Sequence, residues 1–409
     1  MSDYLPTTPP GWKVTRLSDV ANYQNGHAFY KDGYSSEGLI AIDLYNVDEE
    51  GRLRFGERDK HVSLELCERF SKFKLNRNDL VMVMTDMTQR LGILGKCAVI
   101  DQDDRYILNQ RLGRVTANES EVLTRYLFYF INSEYFLKPL RALAKGAVQK
   151  YVNTGDIKEN SVLLPPLPVQ RRIAGILSAY DELMENSQRR IRLLEAMARA
   201  LYREWFVHFR IPAEVLTKAG ASPIKLVASP LGDIPQGWEV RRIDEALRFD
   251  SGRTIKKEER ENGDTPVYGA NGIIGGTANS PMADQCIIMG KIGSCGALHR
   301  SHKPCWVTNN AFLIQPAAIQ SLELAWQVLL DVDFRQYIGG AANPYMPINT
   351  FGQHEVVIPA ESVQSEFEMR AGPLRRLVEA LSERTENLRR TRDLLLPRLL
   401  SGQVNLTTN

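Results

Sequence analysis

An internal duplication constrains the fold of this chain more than any other feature of its sequence. Residues 9–17 (PPGWKVTRL) return 226 residues later as residues 235–243 (PQGWEVRRI). Further on, residues 147–165 match residues 341–359 in part, at an offset of 194. The copies therefore have matching ends, while the first is longer inside by 32 residues. Matching ends around residues that differ predict two similar modules that recognise different targets. We expect the unmatched residues to lie at the recognition surfaces.

Composition excludes several classes of protein but does not choose a function. The chain has 409 residues, 43% of them hydrophobic and 24% charged, as in an ordinary globular protein. No run of 18 or more apolar residues occurs, and the first eleven residues are polar and Pro-rich, so we expect a cytoplasmic protein without a membrane partner. The five cysteines lack paired spacing, which argues against a disulfide framework. A net charge of +2 neither requires nor excludes a polyanionic partner.

Each half reads as a mixed α and β module followed by a long helix. Strands are predicted at 79–84, 95–100 and 106–108 in the first half and at 285–289, 306–308 and 311–314 in the second. Short helices are predicted at 123–136 and 322–330. The fold class is thus α+β, with two α/β domains separated by a pair of long antiparallel coiled-coil helices that form a pseudo-twofold internal repeat.

The two long helices carry apolar residues in alternating steps of four and three, which predicts a heptad seam in each. The seam is Tyr180, Met184, Ile191, Leu194 and Leu201 in the first helix, and Leu374, Val378, Leu381, Leu388 and Leu395 in the second. Arg392 interrupts the second seam. Two seams in the same register favour an antiparallel pair that spaces the modules. The alternative is that each helix packs on its own module as an ordinary amphipathic helix.

Three motifs now give the chain a family resemblance over almost its whole length. They are the Pro-x-Gly-Trp module starts, the run LPPLPVQ at 164–170 and the closing LLLPRLLSG at 394–402. Together they resemble the specificity subunit of type I restriction-modification enzymes. In the second copy AESVQ at 360–364 replaces the Pro-Leu-Pro form but keeps its glutamine.

The resemblance implies a non-catalytic subunit that binds double-stranded DNA. Each of two target-recognition domains would read one half of a split sequence, and the helices would dock two methyltransferase subunits, which motor-nuclease restriction subunits join. S-adenosylmethionine, ATP and magnesium would be bound by those partners and no cofactor by this chain. The implied order is a first recognition domain at 1–160, a central region with a spacer helix at 161–210, a connector at 211–234, a second recognition domain at 235–358 and a distal region with the other spacer helix at 359–409.

The residues themselves point to no catalytic site. Asn343-Pro344-Tyr345 approaches the Asn-Pro-Pro-Tyr motif of adenine methyltransferases but lacks the second proline and an upstream cofactor loop. No P-loop motif occurs. Cys295, His299, His302 and Cys305 have the chemistry of zinc ligands, but their spacing is unusual and has no counterpart in the first copy, so we favour a strand-turn-strand without metal.

Candidate DNA contacts are Arg, Lys, Asn and Gln side chains in Gly- and aromatic-containing loops, because their donors and acceptors match base edges and phosphates. In the first module they are Lys31, Thr88, Gln89, Arg90, Lys96, Asn109, Gln110, Arg111, Gln149, Lys150 and Tyr151. In the second they are Arg253, Lys256, Tyr268, Asn271, Lys291, Ser294, Asn309, Asn310, Asn343 and Tyr345. Amides beside predicted strands, such as Gln110 and Asn309, could instead satisfy backbone groups.

Two other classes of function stay open on the sequence. A scaffold or anti-restriction mimic of DNA would show acidic or neutral module surfaces rather than basic loops. A stand-alone nuclease or methyltransferase with a degenerate site would act on DNA without partners.

Overall fold

The structure, a computed structural model, describes residues 4–29, 33–220, 223–340, 344–404 and 406. The chain forms two compact units. Unit 1 contains the residues up to 185 together with those from 386 onward, and unit 2 contains residues 186–385. Each predicted module thus lies in its own unit. The two long helices are divided between the units.

Unit 1 is built from two sheets and a set of helices. Its strands are β1 (Lys13–Arg16), β2 (Ala21–Asn25), β3 (Tyr34–Ser35), β4 (Leu39–Ile42), β5 (His61–Val62), β6 (Lys74–Leu75), β7 (Leu80–Val83), β8 (Thr85–Asp86), β9 (Cys97–Val99), β10 (Tyr106–Leu108), β11 (Leu112–Ala117), β12 (Lys150–Tyr151) and β13 (Ser161–Leu164). Its helices are α1 (Leu17–Val20), α2 (Leu64–Arg69), α3 (Thr124–Ile131), α4 (Glu134–Ala142), α5 (Thr154–Lys158) and the first half of α6 (Leu167–Tyr202). An antiparallel sheet has the order β2-β11-β7-β9, and a second sheet has the order β3-β5-β4-β10-β6, with β4 and β10 parallel.

The apolar run of β7 is explained by burial on both of its faces. Leu80 and Met82 belong to the core that contains α3 and α4. Val81 and Val83 belong to the core shared with the second sheet. Successive side chains of a strand point to opposite faces, so a strand between two cores reads as a continuous hydrophobic run.

The single helix predicted over 123–136 is wrong, because the chain forms α3 and α4 with a break between them. At the break the Asn132 side chain accepts a hydrogen bond from the backbone N–H of Cys97 and donates one to its carbonyl. The Ser133 hydroxyl donates to the carbonyl of Phe130. Short polar side chains that bond to backbone groups compete with helix continuation.

Unit 2 repeats this plan with fewer strands. Its strands are β14 (Leu226–Val227), β15 (Ile234–Pro235), β16 (Glu239–Arg242), β17 (Leu247–Ser251), β18 (Thr265–Gly269), β19 (Gly272–Thr277), β20 (Cys286–Gly290), β21 (Leu298–Ser301), β22 (Trp306–Val307), β23 (Ala311–Pro316) and β24 (Glu355–Ile358). Its helices are the second half of α6, α7 (Ala213–Lys218), α8 (Ile243–Ala246), α9 (Leu322–Asp331), α10 (Ile348–Phe351) and most of α11 (Glu361–Leu400). The sheet orders are β17-β23-β20-β21 and β19-β18-β22, with β18 and β22 parallel.

Matching the two sets of strand pairs shows where the extra residues of the first module lie. Ile42 corresponds to Tyr268, an offset of 226, whereas Val83 corresponds to Gly290, an offset of 207. The fall in the offset means that 19 of the 32 extra residues lie between β4 and β7. Within this stretch β5 corresponds to β19 at an offset of 215, so 11 of these residues precede β5. The other eight lie between β5 and β7, where unit 1 has α2 and β6. The offset then falls to 201 at the next strand, so six more residues lengthen the loop after β7. Most of the unmatched residues therefore lie between β4 and β7, where β6 adds an edge strand to the second sheet.

The matching ends of the two copies pair with each other. In unit 1 β1 is antiparallel to β13, with Lys13 opposite Leu164. In unit 2 β16 is antiparallel to β24, with Glu239 opposite Ile358. Each ladder joins a strand from the 226-residue repeat to a strand from the 194-residue repeat. The two ends of each module thus pair as an antiparallel ladder, which we call the closing ladder. This pairing explains why the sequences at both ends of the module are repeated.

The region predicted as a connector packs on unit 2. Val215 and Leu216 of α7 are buried in the unit 2 core, and β14 pairs with β15. On the N-terminal side of this region, α6 is followed by one π-helical turn, Arg203–Val207, in which Trp205 and Phe206 are buried.

Halves of α6 and α11 contact each other within each unit and run antiparallel. In unit 1, Leu399 shares a core with Ile173, whereas Asp181, further along α6, meets Arg392, which comes earlier in α11. In unit 2, the ring of Phe367 near the start of α11 contacts the rings of Trp205 and Phe206. Both helices also contribute to the module cores, so the two packing modes predicted as alternatives occur together.

The predicted seam residues face inward. Met184 is buried, and Tyr180, Ile191, Leu194, Leu201, Leu374, Val378, Leu381, Leu388 and Leu395 are half-buried. Arg392, which interrupts the seam, places a guanidinium nitrogen 2.7 Å from Oδ1 of Asp181. The Tyr129 hydroxyl donates to the other carboxylate oxygen of Asp181 at 2.6 Å. The polar seam position is therefore paired across the helices.

Among the helices of the described residues, none combines the length and the apolar character that crossing a membrane requires.

Candidate nucleic-acid interface

Three separate segments of unit 1 meet at one surface, which we call loop cluster 1 and define as residues 86–90, 109–111 and 145–151. The ladder between β8 and β12 joins the first and third segments. The backbone N–H of Met84 donates to the carbonyl of Arg111, which brings in the second. Nε2 of Gln89 donates to the carbonyl of Ala147 at 3.0 Å. The predicted residues Thr88, Gln89, Arg90, Gln110, Arg111, Gln149, Lys150 and Tyr151 therefore lie together.

A buried carboxylate that the sequence analysis missed organises this cluster. Asp86, 1% exposed, accepts hydrogen bonds from the backbone N–H of Thr88 at 2.7 Å and from its hydroxyl at 2.8 Å. Its second oxygen accepts from the backbone N–H of Ile93 at 3.1 Å. An Asp two residues before a Thr is a turn signal that could have identified it. Asp86 thus orients the loop that presents Gln89 and Arg90.

Loop cluster 1 borders an open groove of about 310 Å³. Arg111 and Tyr151 line it, together with Asn25, Asn153 and Thr154. The Thr154 hydroxyl donates to Oδ1 of Asn25 at 2.9 Å. Arg111 is the charged residue among those that line the groove. The groove therefore offers a cationic, polar surface beside an exposed aromatic ring.

Unit 2 has an equivalent surface, loop cluster 2, formed by residues 291–294, 309–310 and 339–345 as far as they are described. The backbone N–H of Lys291 donates to the carbonyl of Asn310, and the N–H of Gly293 donates to that of Pro344. Tyr345 and Gly339 exchange two backbone hydrogen bonds at 2.9 and 3.0 Å, as Tyr151 and Lys145 do in unit 1. The two clusters thus share a frame while their side chains differ.

The predicted contacts of the second module are only partly collected in loop cluster 2. Lys291, Ser294, Asn309, Asn310 and Tyr345 belong to it by definition. Arg253 lies beside it, since its backbone N–H donates to the carbonyl of Val307 in β22. Asn271 is exposed in the turn between β18 and β19. Lys256 is exposed ahead of the 3-10 turn Glu258–Arg260.

Three predicted contacts have interior environments. Asn109, 2% exposed, donates to the hydroxyl of Tyr34 and accepts from the N–H of Gln110. Tyr268, 7% exposed, directs its hydroxyl to the carbonyl of Arg300. Nζ of Lys96 donates to the carbonyl of Asn132, and burial, followed by the charge of Arg141, lowers the pKa of this lysine. These side chains support the loops from within. Gln110 and Asn309, the amides for which the sequence left a backbone-satisfying role open, are exposed.

Two predicted contacts, Lys31 and Asn343, lie outside the described residues. Of the side chains in the two clusters, Tyr151 and Tyr345 occupy equivalent positions and are 41% and 50% exposed. An exposed aromatic beside Lys, Arg and Asn is typical of a surface that binds nucleic acid.

The two cysteines among the four residues considered as zinc ligands have other partners. Sγ of Cys305 lies 3.5 Å from Sγ of Cys286, and the hydrogen bond between them, with burial, raises the pKa of Cys286. Sγ of Cys295 donates to the carbonyl of Lys291. In the part of the chain that the structure describes, no group of three or more His, Cys, Asp or Glu side chains is arranged to hold a metal ion.

Comparisons with known proteins identify the family. The family model of the type I restriction modification DNA specificity domain matches residues 9–196 and 235–367. The MjaIX specificity subunit of a type I restriction enzyme from Methanocaldococcus jannaschii is 23% identical over 314 residues, 70% of each chain. The HindI specificity subunit from Haemophilus influenzae is 23% identical over 76% of this chain and 84% of its own. The crystal structure of the S subunit of a type I restriction-modification system from M. genitalium shares the fold, with a TM-score of 0.60 and 18% identity over 98% of this chain and 99% of that one.

Proposed function

We infer, since this chain belongs to the family of specificity subunits of type I restriction-modification systems, that each unit reads one half of a bipartite duplex DNA target. The observation that supports this most is the pair of equivalent loop clusters. Their backbone frames share equivalent hydrogen bonds, whereas loop cluster 1 presents Gln89 and Arg111 and loop cluster 2 presents Asn309 and Asn310. A common frame with different base-reading side chains fits two unlike half-sites.

The proposed mechanism is indirect, with catalysis in the partners. The chain would position two methyltransferase subunits over an adenine in each half-site, and motor-nuclease subunits would cleave unmodified DNA. S-adenosylmethionine, ATP and magnesium would belong to those subunits. We expect the assembly to work in the cytoplasm.

The helices are the proposed docking surface for the methyltransferase subunits. Leu193 and Met197 of α6 are 59% and 56% exposed, and Leu377 and Leu394 of α11 are 53% and 60% exposed. Leu193 and Met197 lie one helical turn apart, and neighbouring apolar residues left exposed on a charged helix are typical of a protein-contact surface. The number of residues in α6 and α11 would then set the number of base pairs between the half-sites.

The alternative of a scaffold or DNA mimic fits the clusters less well. A mimic needs acidic surfaces, and loop cluster 1 instead exposes Arg90, Arg111 and Lys145. The positive charge of these residues suits contact with DNA, which is a polyanion.

A gel-shift series tests the proposal. The chain, alone and co-expressed with its methyltransferase subunit, is titrated against duplexes that carry or lack a methylated target, at several salt concentrations. We expect a sequence preference in the complex and an affinity that falls steeply with salt. The matched variants are Arg90→Ala in loop cluster 1 and Arg125→Ala, an exposed arginine of α3 outside it. Arg90→Ala should weaken binding and Arg125→Ala should not. A complex without sequence preference at any salt concentration would refute the proposal.

A further inference from the structure

The turn that joins the parallel strand to the central antiparallel strand is equivalent in the two units. Gln110-Arg111 joins β10 to β11, and Asn309-Asn310 joins β22 to β23. The carbonyl of Arg111 accepts from the N–H of Met84 at 2.9 Å, and the carbonyl of Asn310 accepts from the N–H of Lys291 at 2.8 Å. Each turn is therefore tied to the strand beside it.

A glycine holds the other side of each turn at close range. A Cβ on Gly26 would lie 1.8 Å from the carbonyl oxygen of Asn109, and a Cβ on Gly252 would lie 2.1 Å from that of Thr308. The N–H of Gly26 donates to Leu112, and that of Gly252 donates to Ala311. Because the backbone is fixed on both sides, the side chain that projects from each turn starts from a rigid base.

The side chains of these turns are available for a ligand. Arg111 and Asn310 are exposed. Among the described residues, neither side chain has a hydrogen bond or an ion pair. By contrast, Lys291 in the same cluster directs Nζ to the hydroxyl of Ser251 and lies over the ring of Phe312. Direct recognition of a base edge requires a side chain that starts from a rigid backbone and has hydrogen-bond donors not used within the protein.

We propose that these two turns read one base pair each, Arg111 a guanine in one half-site and Asn310 an adenine in the other. This inference rests on the proposed function and assigns the base-reading positions within it. The two terminal nitrogens of an Arg guanidinium match O6 and N7 of guanine, and an Asn amide matches N7 and N6 of adenine.

The position of Arg111 separates it from the other cations of loop cluster 1. Arg111 lines the groove with Tyr151, while Arg90 lies on the loop that Asp86 organises and does not line it. Arg90 and Lys145 are exposed cations that do not line the groove, and they suit phosphate contacts.

The test exchanges the two side chains in the chain co-expressed with its methyltransferase subunit. Arg111→Asn and Asn310→Arg are prepared separately, and each complex methylates a plasmid library with randomised half-sites that is then read by methylation-sensitive sequencing. For Arg111→Asn we expect the guanine preference at one position of one half-site to fall roughly tenfold or more. For Asn310→Arg the adenine preference should fall similarly at one position of the other half-site.

The backbone favours the first exchange. Arg111 has a φ of 68°, and Asn tolerates this left-handed conformation better than Arg, so Arg111→Asn should fold at least as well. Arg111→Lys is the second variant, because it keeps the charge but loses the bidentate fork. It should lower the guanine preference and leave the salt dependence unchanged.

Arg90→Asn is the matched control. It removes an exposed cation from the same cluster and should weaken binding to all sites alike without changing the target. If Arg111→Asn retains the wild-type preference at every position, or changes both half-sites, the assignment is wrong. A wild-type complex without any target preference would instead count against the proposed function.

Discussion

Gln170 and Gln364, 194 residues apart, each satisfy three backbone groups in the same way. Oε1 of Gln170 accepts from the N–H of Leu123, and its Nε2 donates to the carbonyls of Glu121 and Pro165. Oε1 of Gln364 accepts from the N–H of Gln320, and its Nε2 donates to the carbonyls of Ala318 and Pro359. Both amides are at most 3% exposed. A glutamine at this place therefore fastens the start of each long helix to its module.

Replacing either glutamine by alanine should destabilise the unit that contains it. Gln170→Ala leaves one buried and two partly buried backbone groups without these partners, which we expect to cost about 2–4 kcal/mol of unfolding free energy. The measurement is urea unfolding of the full chain, and Arg171→Ala, an exposed neighbour on α6, is the control. Equal midpoints for the two variants would contradict the fastening role.

Paired elements close each module and join the helices. The β1–β13 and β16–β24 ladders each contain four residue pairs. Within unit 1, Asp181 of α6 accepts hydrogen bonds from both Arg392 of α11 and Tyr129 of α3. Burial, with the charge of Asp181, raises the pKa of Tyr129, so the tyrosine remains a donor at neutral pH. One carboxylate thereby links two long helices and a module helix.

Asp181→Ala should loosen this link. It removes the acceptor of a charged and of a neutral hydrogen bond, and because Asp181 is about one-third exposed we expect a loss of only about 1–2 kcal/mol. Glu182→Ala, at the next and exposed position, should change stability little. Thermal unfolding followed by circular dichroism distinguishes the two variants, and a Glu182→Ala protein as unstable as Asp181→Ala would exclude a specific link.

At the scale of the whole molecule, the duplication is a repeated topology with unequal additions. Of the 32 extra residues, 19 lie between β4 and β7 and six lengthen the loop that carries Thr88, Gln89 and Arg90. The expectation that the unmatched residues read the target stays a prediction, and the lengthened loop is the part of them that belongs to loop cluster 1. The closing ladders make the segment between β1 and β13 the natural unit of exchange.

Exchanging residues 17–160 for the matching segment of a relative should change one half of the target and leave the other half intact. These junctions keep β1 and β13, whereas a junction at residue 150 would cut β12. Methylation-sensitive sequencing of cells that carry the complete system reads the result. If both halves change, the two units do not read DNA independently.

Adding residues at matched positions of α6 and α11 should change the number of base pairs between the halves without changing either half. The same sequencing measures this spacer. An altered half-site with an unaltered spacer would argue against the helices as its determinant.

The duplication, the fold class and the family follow from local signals in the amino-acid order: strand and helix periodicity, turn residues and repeated motifs. Most of both loop clusters could be located in the same way, since Arg, Gln, Asn and Tyr beside glycine mark exposed turns. Which of the candidates face solvent depends on the packing of the folded chain. Asn109 and Tyr268 turn inward, Asp86 acts from a buried position, and Arg392 finds Asp181 across 211 residues of chain. Burial and long-range pairing depend on which segments meet in space, and periodicity within a segment carries no information about that.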